Sequence, residues 1–230
     1  MWAPLAVDFE PPEVSMELKN FLTEKRLERI DAVLEKRTRN LTLLLEDIYD
    51  PHNVAACIRS AEGLGLQEVH VISKSGAFKP HPKVVQGGGK WVEISGYRSA
   101  TEAAQALKAR GFAIYAGALR EDAVPIQSLD FGGKVAVAFG NEHDGLSPEL
   151  LALADRVFFI PMRGFTQSFN ISVATGMGLF HATEERRRLL GASGDLDPAD
   201  KERLRSLWIE YSIPKVELLK KELASRQPED

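Results

Sequence analysis

The sequence predicts an α/β protein with a mostly parallel sheet flanked by helices, extended by further helices at both ends. Short apolar runs of strand length alternate with segments of helical periodicity along the middle of the chain. The run at 41–45 is apolar at nearly every position, which is typical of a strand buried on both faces of a parallel sheet. The 230 residues, 44% hydrophobic and 27% charged, are enough for a substantial core.

We expect three parts along the chain. Residues 1–40 hold an arm rich in proline and acidic residues (1–15) and one helix (16–36). Residues 41–190 form the α/β domain, and residues 191–230 form a C-terminal helical extension that follows a Gly/Asp/Ser-rich linker.

Strands and helices alternate in the α/β part as parallel βαβ units require. Strands are predicted at 41–45, 68–72, 91–95, 112–118, 134–139 and 156–160. Helices are predicted at 54–63, 101–110, 147–154 and 174–188, with two more in the extension at 199–211 and 215–225. Glycines follow the first two helices as stop signals, and Ser147 with Pro148 supplies a start signal for the third.

Polar loops follow three of these strands. They contain Asn53, the run Gly140-Asn-Glu142, and the run Gln167-Ser-Phe-Asn170. Ligand sites in open α/β sheets form at the carboxyl ends of strands, where such loops meet helix N-termini. The simpler interpretation of the last loop is a capped helix with Ser168 or Asn170 as N-cap. The small residues of the helix that follows would let another backbone come close.

The sequence lacks the motifs of several common classes of enzyme. The glycines before Lys90 do not have the spacing of a phosphate-binding loop, and no dinucleotide fingerprint follows the first strand. The five histidines lack metal-ligand spacing, Ser168 lacks a nucleophile elbow, and Cys57 is the single cysteine. The net charge of -4 means that nucleic-acid binding would need a local basic patch. Without a signal peptide or an apolar run of membrane-spanning length, we expect a cytoplasmic protein.

The three polar loops resemble the three sequence motifs of the SPOUT methyltransferases, and among them the TrmH-type RNA ribose 2′-O-methyltransferases. The matching segments are 45–59, 139–147 and 160–174, the last almost residue for residue. Phe169 stands where the family usually has Leu, and Glu184 occupies a position that is often basic.

The resemblance implies a C-terminal trefoil knot, S-adenosyl-L-methionine held mostly by backbone groups, a homodimer that completes each site, and no metal. The implied cofactor pocket is lined by Gly117, Gly140, Ile160, Met162 and Phe169. The implied catalytic set is Arg59, which acts on the ribose 2′-hydroxyl, with Asn53, Glu142, Ser168 and Asn170. Candidate RNA-binding residues are Lys25, Arg26, Arg29, Arg186, Arg187 and Arg188.

The expected reaction is 2′-O-methylation of a ribose in tRNA, at the D-loop guanosine in position eighteen, because helical extensions replace a separate substrate-recruiting domain. Ribosomal RNA is the alternative substrate. A different class also stays open, namely a catalytically degenerate RNA-binding or assembly protein.

Overall fold

The computed structural model describes residues 18–73 and 88–224. The predicted arm at 1–15 lies outside the described residues. The chain divides into two compact units, one formed by its two ends, up to Lys36 and from Leu196, and the other by Arg37–Asp195.

The larger unit contains a seven-stranded sheet in which every neighbouring pair is parallel, in the order β3-β2-β1-β6-β4-β7-β5. The strands are β1 (Leu41–Glu46), β2 (Glu68–Ile72), β3 (Glu93–Tyr97), β4 (Ala113–Gly117), β5 (Val124–Pro125), β6 (Val135–Phe139) and β7 (Arg156–Phe159). The α-helices within the described residues are α1 (Glu24–Leu34), α2 (Pro51–Gly63), α3 (Ala100–Ala109), α4 (Pro148–Leu153), α5 (Ile171–Leu190), α6 (Pro198–Ser212) and α7 (Val216–Ala224). The predicted parallel α/β fold is confirmed, and the knot stays a prediction.

One local prediction was wrong, and one strand was missed. The single helix expected at 16–36 is interrupted, because Leu22 and Thr23 are extended and Thr23 caps α1 by accepting a hydrogen bond from the Arg26 backbone at 3.3 Å. The edge strand β5 was missed because two residues carry no periodicity; its Pro125 is tolerated since an edge strand needs no donor on its outer side.

In the smaller unit, α1 packs against α6. Ile30 and Leu34 are buried on α1, as are Leu204 and Trp208 on α6. Ion pairs flank this apolar contact, with Arg205 to Asp31 and Lys201 to Glu35 both at 2.7 Å. The apolar stripe of α6 thus has its partner within the same unit.

Small residues of α5 let the helix lie close to the sheet and to α2. A Cβ added to Gly178 would stand 2.8 Å from the Phe139 ring, and Thr175 accepts a hydrogen bond from Cys57 of α2 at 3.5 Å. The close approach expected from these residues is therefore used inside the subunit. A dimer contact through α5 would have to use its exposed residues instead.

A charged cluster lies at the amino end of the sheet, where β2 and β3 begin. Glu68 is buried and pairs with Arg39 at 2.5 Å and with Arg110 at 2.7 Å. Burial alone would raise the pKa of the Glu68 carboxyl, but hydrogen bonds from His70 and Arg110 outweigh it and lower this pKa to about 2. The carboxyl therefore stays ionised at neutral pH and fixes this edge of the sheet.

The prediction that Arg186 contacts RNA was wrong, because its side chain is buried. Its guanidinium donates to Asp195 at 2.9 Å and 2.5 Å, and to the carbonyl of Phe131 at 2.8 Å. Further bonds go to the carbonyls of Gly132 and Gly133. With these donors used, Arg186 ties α5 to the segment before β6.

Arg186→Ala should lower the free energy of unfolding by about 3–5 kcal/mol, since it removes the cation paired with the Asp195 carboxylate and the donor to the carbonyls of residues 131–133. The matched control is Arg187→Ala, which removes a more exposed pair with Glu184 and an exposed hydrogen bond to the Ser193 carbonyl, and should cost less than about 1 kcal/mol. Urea unfolding of the two variants measures the difference, and equal losses would contradict the structural role of Arg186.

Candidate active site at the carboxyl edge of the sheet

The three loops singled out from the sequence follow strands that lie next to one another or nearly so. β1, β6, β4 and β7 are consecutive in the sheet and parallel, so their carboxyl ends share one edge. The loops after β1, β6 and β7 therefore meet at that edge, as ligand sites in parallel sheets require.

Asn53, Glu142 and Asn170 form a polar triangle at this edge. The Asn53 amide donates a short hydrogen bond to the Glu142 carboxylate, and the Asn170 amide donates to the Asn53 side-chain oxygen at 3.4 Å. One residue lies in the first turn of α2, one in the loop after β6 and one at the start of α5. The structure thus brings together one residue from each of the three motifs. Amide and carboxylate groups so placed can orient a hydroxyl group by hydrogen bonding.

Asn170 also keeps the cap role of the simpler interpretation. Its side-chain oxygen accepts from the backbone and the hydroxyl of Ser172, at 2.9 Å and 2.6 Å. Its amide nitrogen stays available for Asn53. Capping and site formation therefore use opposite ends of one side chain.

The loop after β6 is a tight turn. Asn141 and Gly145 exchange two backbone hydrogen bonds, at 3.2 Å and 3.1 Å, and Gly145 has a φ of 69°. The Asn141 side chain accepts from the backbone of His143 and Asp144 at 2.9 Å and 2.7 Å. A Cβ added to Gly140 would lie 2.0 Å from the Gly145 backbone, so only glycine fits there. This turn fixes the position of Glu142.

Glu46, at the end of β1, anchors the far side of the same loop and was missed by sequence reasoning. Its buried carboxylate accepts from the Ser147 backbone at 2.8 Å and from the Ser147 hydroxyl at 2.6 Å. The available signal was an acidic residue that directly ends an apolar strand, since a buried carboxylate must have hydrogen-bond partners.

The residues expected to hold the cofactor lie at the ends of β4, β6 and β7. Gly117 has the Phe139 and Phe158 rings 3.1 Å and 3.2 Å from where a Cβ would stand, and Gly140 is buried. Ile160 and Met162 are half-buried, whereas Phe169 is 37% exposed. Among the described residues, the backbone groups of 162–169 make no hydrogen bonds. Free backbone donors and acceptors beside two glycines without room for side chains suit a ligand that is held by backbone groups.

Arg59 and Ser168 are not joined to the triangle. Both are exposed, and the Arg59 side chain has no hydrogen bond or ion pair within the described part of the chain. Six residues of α2 separate Arg59 from Asn53, which places it about 9 Å along the helix and about 120° around it. Arg59 therefore faces a different direction from the triangle of its own chain.

The remaining basic candidates differ in how far their charge is already paired. Lys25 and Arg29 are exposed, lie four residues apart on α1 and have no ion-pair partner among the residues that the structure describes. Arg26 donates to Ser212 at 3.1 Å. On α5, Arg187 and Arg188 pair with the acids three residues before them at 2.8 Å and 2.5 Å. Of the candidates, Lys25 and Arg29 thus carry the charge that is least neutralised by a neighbouring side chain.

Within residues 18–73 and 88–224, no group of three or more His, Cys, Asp or Glu side chains could hold a metal ion. In the same ranges, no helix combines the length and the apolar character needed to cross a membrane.

Gly140→Ala should displace the loop after β6, because the new methyl group overlaps the Gly145 backbone. Overpacking of this kind commonly costs about 1–3 kcal/mol of stability. Gly133→Ala is the matched control, with open space where its methyl group would stand. Thermal unfolding of both variants measures the effect, and a Gly140→Ala protein as stable as wild type would show that the turn is not so confined.

Comparisons with known proteins extend these observations. The family model described as the SpoU rRNA Methylase family matches residues 40–180. A tRNA (guanosine(18)-2′-O)-methyltransferase of Thermus thermophilus is 40% identical over 190 residues, which cover 81% of this chain and 97% of that protein. A 23S rRNA (guanosine-2′-O-)-methyltransferase of Acinetobacter baylyi is 38% identical over 168 residues, covering 72% of this chain and 66% of the relative.

Similar solved structures point to the same family as the sequence relatives. The TrmH/SpoU tRNA modifying enzyme of A. aeolicus has a TM-score of 0.74 and 31% identity, with 84% of this chain and 98% of that chain covered. The SpoU methyltransferase AviRb of Streptomyces viridochromogenes, in complex with the cofactor AdoMet, has a TM-score of 0.57 and 26% identity over 67% of this chain and 59% of that chain. The family match spans every residue of the polar triangle, and the chain belongs to the SpoU methylase family, as its motifs predict.

Proposed function

We propose that this protein is an S-adenosyl-L-methionine-dependent methyltransferase that acts on the ribose 2′-hydroxyl of guanosine 18 in tRNA. The observation that carries the proposal is the triangle of Asn53, Glu142 and Asn170, which joins the three family motifs at one edge of the sheet. The T. thermophilus relative named for this reaction is covered almost completely, whereas a third of the rRNA relative is left uncovered. This difference favours tRNA over rRNA.

The cofactor would be held by Gly117, Gly140 and the loop 160–170. S-adenosyl-L-methionine supplies a methyl group activated by a sulfonium charge. The half-buried side chains of Ile160 and Met162 give the pocket an uncharged wall, which suits a positively charged ligand. The unbonded backbone groups of 162–169 can recognise the ligand's polar atoms.

The methyl acceptor, a ribose 2′-hydroxyl, is a weak nucleophile. The site must orient it and stabilise the negative charge that develops on its oxygen. The triangle would orient the ribose through amide and carboxylate groups, with Ser168 beside it on the loop. Arg59 would stabilise the charge on the oxygen and hold a neighbouring phosphate. A guanidinium does not deprotonate in proteins, so Arg59 is not the base.

The position of Arg59 supports a homodimer in which Arg59 of one copy serves the site of the other. Arg59 lies away from the triangle of its own chain and has no partner among the described residues. On α5, Val173 and Phe180 are 49% and 58% exposed and seven residues apart, so they share one apolar face. Burying this face against a second copy would give the hydrophobic contact that a stable dimer needs. A monomer by sedimentation that retains full activity would exclude this arrangement.

RNA would be bound through local clusters of basic residues, because the net charge of the whole protein is -4. The Lys25 and Arg29 side chains repel each other across one helix turn, and a bound phosphate would remove that cost. Arg26, Arg187 and Arg188 can add to the RNA contact, although each already has a partner.

Charge reversal at Lys25 and Arg29 should weaken tRNA binding and make that binding less dependent on salt concentration. Unchanged tRNA binding would show that Lys25 and Arg29 do not contact the RNA.

The substrate is tested with labelled cofactor, unmodified tRNA and unmodified rRNA, followed by nucleoside analysis. We expect 2′-O-methylguanosine in tRNA and none when guanosine 18 is replaced. Labelling of rRNA alone would establish the alternative substrate. Binding of RNA without any methylation would indicate the degenerate RNA-binding protein.

Arg59→Ala should slow single-turnover methylation by about 10²–10³-fold, because one well-placed donor to a developing negative charge is lost. Arg59→Lys should also be slow, since lysine lacks the planar fork. Cofactor affinity, measured by calorimetry, should not change. A near-normal rate, or a cofactor affinity that falls with the rate, would contradict this role.

Mixing two inactive variants tests the crossed site. If Arg59 acts in the partner's site, a mixed dimer of Arg59→Ala and Glu142→Ala contains one site with both changes and one intact site. Random exchange of subunits should then restore about a quarter of wild-type activity. If both residues act within one chain, every mixed site carries one change and no activity returns.

A further inference from the structure

Tyr49 is an exposed aromatic residue beside the polar triangle with no role in the chemistry derived so far. It lies in the short loop between β1 and α2, four residues before Asn53, and 63% of its surface is exposed. Its neighbour Ile48 packs against the core, so the loop directs Ile48 inward and Tyr49 outward. Within the described ranges the Tyr49 hydroxyl makes no hydrogen bond. The ring is therefore presented to solvent without an apolar cover.

The loop that carries Tyr49 is held at both ends. The Asp47 backbone N–H donates to the Ile72 carbonyl at 3.0 Å, and Asp47 has a φ of 48°. The Asp50 carboxylate caps α2 by accepting from the His52 backbone at 2.8 Å. An exposed ring on a backbone fixed in this way loses little entropy when a ligand covers it.

His143 supplies a second ring next to the first. It is exposed near the tip of the tight turn after β6 and follows Glu142 directly in the chain. The ring centroids of Tyr49 and His143 are 6.2 Å apart, with the planes inclined by 41°. The two loops that place Asn53 and Glu142 thus also place a pair of aromatic rings.

The charges around this pair favour a base over a phosphate. Asp50, Glu142 and Asp144 are exposed carboxylates on the same two loops, and Asp47 is half-buried there. A phosphate would be repelled by them, whereas the N–H groups on the edge of a nucleobase would find acceptors. Proteins that recognise unpaired RNA commonly stack its bases on Tyr and His rings.

We infer that Tyr49, supported by His143, is a stacking subsite for one unpaired base of the substrate RNA, at or next to the nucleotide whose ribose is methylated. The inference rests on the proposed function and adds to it a positioning role for the base. Stacking here would hold the unstacked nucleotide so that its ribose stays at the triangle. Because every base has an aromatic face, the subsite favours an unpaired loop nucleotide without fixing its identity.

The first test compares Tyr49→Ala with Tyr49→Phe. Removing the ring should weaken binding of unmodified tRNA, measured by fluorescence anisotropy, by about 5- to 100-fold, the range found for loss of one base–aromatic stack. The KM for tRNA should rise with it, whereas kcat and cofactor affinity should change little. Tyr49→Phe keeps the ring and should bind like wild type. If Tyr49→Phe binds as weakly as Tyr49→Ala, the hydroxyl matters rather than the ring, and the inference fails.

The second test identifies the base. Wild type and Tyr49→Ala are titrated with tRNA transcripts that each lack one base, at position 18 or at a flanking position. For one transcript the effect of Tyr49→Ala should disappear, because the stack is already absent. Equal effects for all transcripts would overturn the inference, as would a Tyr49→Ala protein that changes only its sedimentation, which would assign the ring to a contact between copies. Methylation of intact tRNA by the wild-type protein is measured alongside. Its absence would contradict the proposed function, independently of whether Tyr49 stacks on a base.

Discussion

The site depends on a turn that is too tight for any side chain at its first residue. Gly140 directly follows the central strand β6 and lies against the backbone of Gly145, which a Cβ on Gly140 would overlap at 2.0 Å. The turn holds itself with backbone bonds between Asn141 and Gly145, and Glu46 holds its far end through Ser147. Glu142 therefore projects from a preformed frame, and Asn53 and Asn170 need only approach it. Preorganisation of this kind lowers the free-energy cost of orienting a substrate.

The core also determines how closely helix α5 packs against the sheet. Phe139, the last residue of β6, occupies a space that exists because Gly117 and Gly178 lack side chains. Gly117 belongs to the neighbouring strand and Gly178 to α5, so one ring sets the distance between sheet and helix. The cap residue Asn170 stands at the N-terminal end of this closely packed helix. A cap that would be an ordinary helix start elsewhere becomes part of a site because the core places it beside Asn53.

The sequence predicted what depends on local pattern and on strand ends. Buried parallel strands are apolar throughout, so β1 and β6 were found, and parallel pairing required their loops to meet. Features that depend on a single side chain were not predicted. Thr23 interrupts the first helix, and Arg186 turns inward because Asp195 and three carbonyls surround it. A run of arginines has the same pattern whether its members are buried or exposed, so burial could not be inferred.

The distribution of charge explains how an acidic protein can suit RNA. Buried or bridged cations such as Arg39, Arg110 and Arg186 are used to fix the fold, and their charge is balanced locally. Lys25, Arg29 and Arg59 have no such partners among the described residues, so their fields reach a ligand. Around Tyr49 the loops are acidic instead. Phosphates would be held by the unpaired cations and kept from the carboxylates, leaving the base as the part of a nucleotide that the aromatic pair can accept.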